Sequence, residues 1–258
     1  MKALVRLAAA LAALPVPGVA LPGLDCACQE PREATVDAAG AKEIRVVARA
    51  GFLRVEGRSG MAEVRVRGTA CADSQSLLDQ VRLSATRSGD RVRIEVEIPE
   101  NRGFWDHDAR LDLAMEVPDA VPLVVRDSSG PLDLRGVASA EIEDSSGEMV
   151  ILDVAGNLTV DDSSGEIEIA RVGGSIRLQD SSGEIEIREV GGSVDIVQDS
   201  SGDIDIAGVG GNVLIRRDSS GGIDVRDVEG DFTVEHDGSG GIRHRNVKGT
   251  VRIPERHR

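Results

Sequence analysis

The most constraining feature of this sequence is a four-residue phrase, Asp-Ser-Ser-Gly, that recurs through the second half of the chain. Successive copies begin 17, 18, 18, 19, 19 and 19 residues apart, a spacing that fits one coil of a solenoid and is too short for a two-helix repeat. The second half is therefore predicted to be a stack of similar coils. The copies begin at Asp127, Asp144, Asp162, Asp180, Asp199 and Asp218, and the variant Asp-Gly-Ser-Gly begins at Asp237.

Each repeat reads as two short strands joined by two turns. Apolar and acidic residues alternate along 166–169 (Glu-Ile-Glu-Ile), as on a strand with one buried face. Gly173-Gly174 then supplies a turn, and 175–178 (Ser-Ile-Arg-Leu) alternates again before the next Asp-Ser-Ser-Gly. The predicted fold class is all-β, a single-chain β-solenoid with coils of about 18–19 residues. We expect isoleucine and valine columns inside and the carboxylates outside.

Residues 41–125 lack the short repeat but also read as β-structure. The turn Ser88-Gly89-Asp90 predicts a hairpin, a further strand ends at Pro118, and residues 74–80 hint at a helical turn. We expect this region to form an N-terminal β-sheet cap, because an exposed sheet edge invites aggregation. The repeat solenoid is expected over residues 126–253.

Residues 1–20 have the pattern of a secretory signal peptide. Lys2 and Arg6 flank a short apolar run, and 18–20 (Gly-Val-Ala) offers a small-residue cleavage site. The chain is therefore predicted to be exported, to the periplasm, the cell surface or the medium. Loss of the leader would make the chain two charges more negative than its formal net charge of −15.

The three cysteines predict one disulfide and one free thiol. Cys26 and Cys28 lie in residues 21–40, which are expected to be a linker, and Cys71 lies in the N-terminal β region. In an oxidising compartment we expect a bridge from the first segment to Cys71. The candidate pair is Cys28 and Cys71, with Cys26 as the open alternative. A zinc site is disfavoured because the paired cysteine spacing is absent.

The repeat decays toward the C-terminus. His244 takes an inward position that Ile206 and Val225 hold in earlier coils, so the last coil is predicted to be a cap. Residues 243–258 contain six Lys and Arg against one Glu, and residues 254–258 form the end of this basic tail. The tail offers a contact for self-association with the acidic coils of a second copy.

The acidic balance excludes some partners and predicts two rows of stacked acids. A strongly negative chain repels nucleic acid phosphates and anionic lipids, so neither nucleic acid binding nor direct membrane insertion is expected. Like charges side by side in a sheet repel one another unless cations or arginines intervene. Calcium is the cation considered for these rows, with a solvated acidic face as the alternative and no other cofactor expected. The rows are Glu148, Glu166, Glu184 and Asp203, and Glu168, Glu186, Asp205 and Asp224.

No catalytic residue is predicted from the motifs. The Asp and Ser of each repeat are expected to be structural, because such side chains hydrogen-bond nearby backbone amides in turns. The histidines lack the context of a base beside a nucleophile. One chemically mixed loop is a candidate ligand or metal site, with an aromatic loop packed over the N-terminal sheet as the alternative. It comprises Trp105, Asp106, His107 and Asp108.

Several segments occur in an order that resembles a known family. They are 51–57 (Gly-Phe-Leu-Arg-Val-Glu-Gly), 63–68 (Glu-Val-Arg-Val-Arg-Gly), Val117-Pro118, and repeated Ser-Ser-Gly-Glu-Ile-Glu-Ile and Val-Gly-Gly-Ser-Ile units. Over residues 41–253 the chain resembles the bacterial "putative adhesin" domain of unknown function. The resemblance implies a right-handed β-helix exposed in the cell envelope, and it transfers no catalytic residues.

These observations lead to one predicted function and one alternative. The first is a non-catalytic β-solenoid of the cell envelope, or secreted, that presents a repetitive acidic surface to another macromolecule, as in adhesion. The alternative is a calcium-dependent or carbohydrate-active enzyme that uses the loop from Trp105 to Asp108.

Overall fold

The computed structural model describes residues 26–99 and 109–254. In these ranges no helix is long and apolar enough to cross a membrane. The N-terminal elements in chain order are β1 (Cys28–Asp37), β2 (Glu43–Val47), β3 (Leu53–Arg58), β4 (Glu63–Ala72), α1 (Gln75–Leu78), β5 (Arg82–Ser88), β6 (Arg91–Glu97), β7 (Ala109–Pro118) and β8 (Leu123–Arg126).

The repeat region alternates a longer and a shorter strand. The strands are β9 (Leu132–Val137), β10 (Ala140–Glu143), β11 (Met149–Val154), β12 (Leu158–Asp161), β13 (Ile167–Val172), β14 (Ile176–Gln179), β15 (Ile185–Val190), β16 (Val194–Gln198), β17 (Ile204–Val209), β18 (Val213–Ile215), β19 (Ile223–Val228), β20 (Phe232–Val234), β21 (Ile242–Val247) and β22 (Val251–Arg252).

The longer and shorter strands build two separate parallel stacks, so that each coil contributes one strand to each of two 11-stranded sheets. The first sheet has the order β1-β4-β7-β3-β9-β11-β13-β15-β17-β19-β21, and the second has the order β5-β6-β2-β8-β10-β12-β14-β16-β18-β20-β22. Identical positions of neighbouring coils are in register, as Ile167 with Ile185 and Ile185 with Ile204 show. The predicted all-β solenoid is confirmed.

The stack continues into the N-terminal region without a break at residue 125. Strands β2 and β3 form a coil that pairs in parallel with β8 and β9, and on its other side with β6 and β7. Antiparallel pairing of β1 with β4 and of β5 with β6 then closes this end. The expected β-sheet cap is present. It includes β1, which lies inside the segment that was predicted to be a linker.

Five aliphatic side chains per coil fill the interior. In one coil these are Ile167, Ile169, Val172, Ile176 and Leu178, each at most 1% exposed. Burying one such side chain contributes about 1.5–3 kcal/mol, and the contacts that bury it come mostly from neighbouring coils. The third inward residue of the longer strand lies three places after the second, because the residue before it adopts a left-handed backbone, as Arg171 does with φ 59°. The aliphatic columns are therefore as predicted.

The change of repeat length from 18 to 19 residues has a local cause. Strands β14 and β16 pair Leu178 with Ile196, but the next pair is Gln179 with Gln198. The extra residue, Val197, is accommodated as a bulge at the end of the shorter strand. The bulge leaves the aliphatic columns and the following turn in register.

The disulfide joins Cys26 to Cys71, with a Cα–Cα distance of 5.7 Å, and Cys28 is the free thiol. The candidate pair Cys28 and Cys71 is therefore wrong. In the antiparallel register Cys28 lies opposite Ala72, so its side chain points to the other face of the sheet from that of Cys71. Cys26 precedes β1, so the alternation of side chains along that strand does not fix the direction of the Cys26 side chain.

The last coil leaves the interior only partly covered. His244 lies opposite Val225 in register and is exposed, while Ile242 and Val247 are half-buried. The His244 ring stands 6.2 Å from the ring of Phe232, which is itself fully buried. The predicted capping role of the last coil is consistent with this polar, exposed end.

Candidate functional site

The Asp-Ser-Ser-Gly phrase forms the turn from the shorter to the longer strand. In the turn at residue 180, Asp180 Oδ1 accepts hydrogen bonds from the backbone N–H groups of Ser181 and Ser182 at 2.6 and 3.2 Å. The glycine that ends this turn, Gly183, has φ 142°, and a Cβ there would lie 1.6 Å from the carbonyl oxygen of Gly165 in the previous coil. Only glycine allows successive turns to approach this closely.

The serines of these turns link successive coils. Ser182 Oγ donates to the carbonyl of Ser163 at 3.3 Å, and Ser164 Oγ donates to the carbonyl of Ser145 at 3.2 Å. The same bond recurs from Ser220 to the Ser200 carbonyl at 3.1 Å. The predicted structural role of the repeated Ser is therefore visible as hydrogen bonds between coils.

The aspartates of these turns are stacked and buried, and we call them the aspartate column. In every member except the last, Asp237, the backbone N–H donates to the carbonyl of the residue just before the next aspartate, as Asp180 does to Gln198 at 2.9 Å. The expectation that the carboxylates lie outside is wrong for these residues. The column comprises Asp127 and Asp144 (each 6% exposed), Asp162 (2%), Asp180 and Asp199 (each 0%), Asp218 (2%) and the half-buried Asp237.

The burial follows from the period of the shorter strand. In β14 the inward residues are Ile176 and Leu178, and the next position of the same parity is Asp180. The sequence carried this signal, since Leu158, Val160 and Asp162 have the same spacing. Sequence reasoning placed the Asp in the turn correctly but did not extend the alternation into it.

Burial changes the protonation of the aspartate column. Desolvation, opposed by Ser backbone hydrogen bonds and reinforced by Asp144, raises the pKa of Asp127 to about 7. Desolvation followed by the charges of Asp180 and Asp218 raises the pKa of Asp199 to about 7. Desolvation, together with the charges of neighbouring aspartates, raises the pKa of Asp162 and of Asp218 to about 6. Desolvation also raises the pKa of Asp144 and of Asp180.

The two expected rows of acids lie on the outer surface of the coils. Both are aligned from coil to coil, but only one of them has arginine side chains beside it. One row comprises Glu168, Glu186, Asp205 and Asp224, paired in consecutive coils. Arginines intervene in it, because Arg226 reaches Asp205 at 3.0 Å and Arg188 pairs with Glu186. The repulsion between like charges in this row is therefore largely offset.

The second row, which we call the outer acid row, has no arginine partners. It comprises Glu148, Glu166, Glu184 and Asp203, whose carbonyls accept backbone N–H groups from the preceding coil. All four are exposed, and none forms an ion pair within residues 26–99 and 109–254. Asp203 also accepts the Gly222 N–H at 2.7 Å. This row is a regularly spaced line of uncompensated carboxylates.

The opposite turn of each coil carries a ladder of side-chain acceptors. Asn157 Oδ1 accepts the Ser175 N–H at 2.9 Å, and Ser175 Oγ accepts the Ser193 N–H at 3.0 Å. Asn212 Oδ1 accepts the Asp231 N–H at 2.8 Å. Together with the glycines beside them, these contacts explain the Gly-Gly-Ser motif as a structural turn.

A polar cavity of about 290 Å³ lies beside the first member of the aspartate column. Its charged lining is largely paired, since Arg126 binds Glu143 at 3.0 Å and Arg93 binds Glu95 at 2.8 Å. The lining comprises Arg45, Val47, Ala48, Arg49, Arg93, Glu95, Arg126, Asp127 and Ser128. Sequence reasoning missed this cavity because it depends on the parallel pairing of β2 with both β6 and β8.

The remaining predicted site residues give no further cluster. Trp105, Asp106, His107 and Asp108 lie outside the described residues, so the ligand loop stays a prediction. In the ranges 26–99 and 109–254, no group of three or more His, Cys, Asp or Glu could hold a metal ion. Calcium binding therefore stays a prediction as well.

The family comparison matches most of the chain. The model of the Toastrack DUF4097 family matches residues 68–254, well over half of the 258 residues. No curated protein is similar enough to the chain to count as a relative.

Three solved structures of low identity are similar to the chain over 87% of its length. One is a "putative cell adhesion protein" from Clostridium sporogenes (9% identity, 99% of that chain covered, TM-score 0.35). The others are a "putative lipid binding protein" from Parabacteroides distasonis (19%, 97%, 0.38) and a "putative adhesin" from Bacteroides fragilis (9%, 97%, 0.34). The family match, rather than these distant likenesses, identifies the chain. With its stack of short coils and the matched range, this chain belongs to the Toastrack DUF4097 family.

Proposed function

We propose that this chain is an exported, non-catalytic interaction module that binds a cationic macromolecule through its outer acid row, in a role such as adhesion. The single observation that carries the proposal is the contrast between the two rows of acids. Arginines offset the charge of one row, while Glu148, Glu166, Glu184 and Asp203 have no such partner.

The spacing of the outer acid row favours an extended partner. Neighbouring parallel strands are about 4.8 Å apart, so four consecutive carboxylates span roughly 14 Å. Isolated surface ion pairs are worth little, about 0–1 kcal/mol each, but several charges on one rigid line can be engaged together. A chain or surface with repeated positive charges fits such a line better than a small ligand does.

The shape of the coils also supports a binding role over catalysis. The connections in the repeats are two- to seven-residue turns whose polar side chains hydrogen-bond to the adjacent coil, as Ser175 does with Ser193. No insertion within residues 109–254 builds a cleft over the coils. A long, regular surface of this kind suits contact with another macromolecule.

Export is supported by the sequence and by the disulfide. The signal-peptide pattern at residues 1–20 and the bridge between Cys26 and Cys71 fit an oxidising compartment. N-terminal sequencing of the protein recovered from fractionated cells tests this part. We expect a mature chain that begins near residue 21, and an uncleaved chain in the cytoplasm would contradict export.

The binding proposal is tested by removing the outer acid row without changing the coils. One variant carries E148Q, E166Q, E184Q and D203N, and a matched control carries E33Q, D90N, E97Q and E141Q. The control removes the same number of negative charges from exposed but dispersed positions. The probe is poly-L-lysine immobilised on a sensor surface at physiological salt.

We expect the row variant to bind at least about tenfold more weakly than the control, because only it loses the regular line of charges. Circular dichroism melting of both variants shows whether each remains folded. Equal weakening in both variants would mean that net charge alone governs binding, and the proposed site would then be wrong.

A further inference from the structure

The most unusual feature that the proposed function leaves unexplained is the aspartate column. Carboxyl groups are rarely buried without a partner, because transfer of a charge out of water is costly. In Asp162, Asp199 and Asp218 neither carboxylate oxygen has a hydrogen-bond donor among the described residues, although each residue is at least 98% buried. The burial of these groups requires a ligand that neutralises them.

Among the residues that the structure describes, the neighbours of the column include no positive charge from Asp144 to Asp218. Each carboxyl group faces the carboxyl groups of the coils above and below, together with the backbone amides of its own two serines. At the N-terminal end, Arg45, Arg49, Arg93, Arg126 and Glu95 line the cavity beside Asp127.

The aspartate column ends at a different kind of residue on each side. At the C-terminal end, His236 directly precedes Asp237, and the His236 carbonyl accepts a hydrogen bond from the Asp218 N–H. At the N-terminal end, Ala48 takes the position that corresponds to Asp127 in the adjacent coil of the stack, because the bridge between Ala50 and Ser129 aligns the two turns. Within residues 26–99 and 109–254, no Lys, Arg or His side chain is among the groups that shift the pKa of Asp162, Asp180 or Asp199.

A proton is the ligand that fits this geometry best. Two stacked carboxyl groups can form a hydrogen bond only if one of them is protonated, and the parallel bridge between Asp199 and Asp218 stacks these two residues directly in register. A metal ion would need more ligands than the column offers in the described ranges.

We propose that the aspartate column is a proton-binding site, in which neighbouring coils share protons between their stacked carboxyl groups and the rod is more stable when those protons are bound. The column thereby makes the stability of the solenoid sensitive to pH. This inference is independent of the outer acid row and of the proposed binding function.

The direction of the pH effect follows from linkage. Burial raises the folded-state pKa of Asp199 to about 7, above the ordinary value of 3.8, so folding takes up a proton. The stability contributed by the protonated group is complete below about pH 4 and is lost as the pH rises toward 7. The same sign applies to Asp162 and Asp218, for which burial raises the pKa to about 6.

Asparagine is a test substitution because it resembles a protonated aspartic acid. Its amide donates and accepts hydrogen bonds without a charge, so Asp199→Asn should keep the contacts between coils at every pH. The matched control is Asp161→Asn at the end of β12, which changes an exposed carboxylate in the same way.

We expect the melting temperature of Asp199→Asn to exceed that of the unmodified chain at pH 8 and to equal it at pH 4.5. Asp161→Asn should follow the unmodified chain at both values. If Asp199→Asn lowers the melting temperature equally at both pH values, or if both variants change alike, the proposal is wrong.

A second measurement on the unmodified chain does not depend on any variant. Carbon-13 NMR of the side-chain carboxyl groups should show Asp199 titrating with a midpoint more than two pH units above 3.8. A midpoint near or below 4 would overturn the proposal. The titration is repeated with added sodium, potassium or calcium chloride, and displacement of the midpoint by one cation alone would assign the site to that ion instead.

Discussion

Substitution of Gly183 by alanine should be far more damaging than its size suggests. The Cβ would lie 1.6 Å from the Gly165 carbonyl oxygen, whereas real Cβ atoms stay beyond about 3 Å, so adjacent turns would have to separate by more than 1 Å. That movement strains the hydrogen bonds from Gly165 to Ser182 and from Gly183 to Ser201, both 3.0 Å long.

The magnitude follows from two contributions. An alanine with φ near 142° costs about 1–3 kcal/mol in backbone strain. Weakening two hydrogen bonds between coils costs about 0.5–1.5 kcal/mol each. The expected loss is therefore about 2–6 kcal/mol, which lowers the melting temperature by roughly 5–20 °C in a domain of this size.

The matched control is Gly89→Ala in the hairpin between β5 and β6. Gly89 also has a positive φ, 64°, but nothing lies within 4 Å of the position of its added Cβ. We expect a loss of only about 1–2 kcal/mol there, because the backbone cost remains and the clash does not. Circular dichroism melting compares the two, and equal shifts would refute the idea that close contact between turns holds the coils together.

Three further predictions test other parts of the structure. Cys26→Ser should destabilise the chain by about 4 kcal/mol in the loop-closure model, since the bridge to Cys71 spans 45 residues, whereas Cys28→Ser should have little effect on the melting temperature. Millimolar calcium chloride should raise the melting temperature no more than sodium chloride of equal ionic strength if the acids form a solvated face, and a larger rise would establish calcium sites. Sedimentation velocity at low and high salt should show salt-sensitive self-association that Arg243→Gln with Arg245→Gln abolishes, while a monomer under all conditions would exclude docking through the basic tail.

The periodicity of the sequence determined most of the fold. The alternation in each strand placed residues such as Ile185 and Ile187 inside, and the equal spacing of the turns predicted the stack. These features are local and repeat with little variation, so each coil predicts the same strands and turns as its neighbours.

The parts that were missed depend on register between distant segments. The choice of Cys26 over Cys28 required the pairing of β1 with β4, and the coil formed by β2 and β3 lies between segments that follow it in sequence. Neither relation can be read from local pattern. The burial of Asp180, in contrast, was readable from the alternation that runs through Ile176 and Leu178.

The stacking of successive coils in register is the claim on which the binding and proton proposals both depend. In a Cys28→Ser background, nitroxide spin labels attached at Glu166→Cys and Glu184→Cys should be about 5 Å apart at the backbone, as neighbouring parallel strands are. We expect a strongly broadened electron paramagnetic resonance spectrum from the doubly labelled chain. A narrow spectrum equal to the sum of the two singly labelled chains would contradict it.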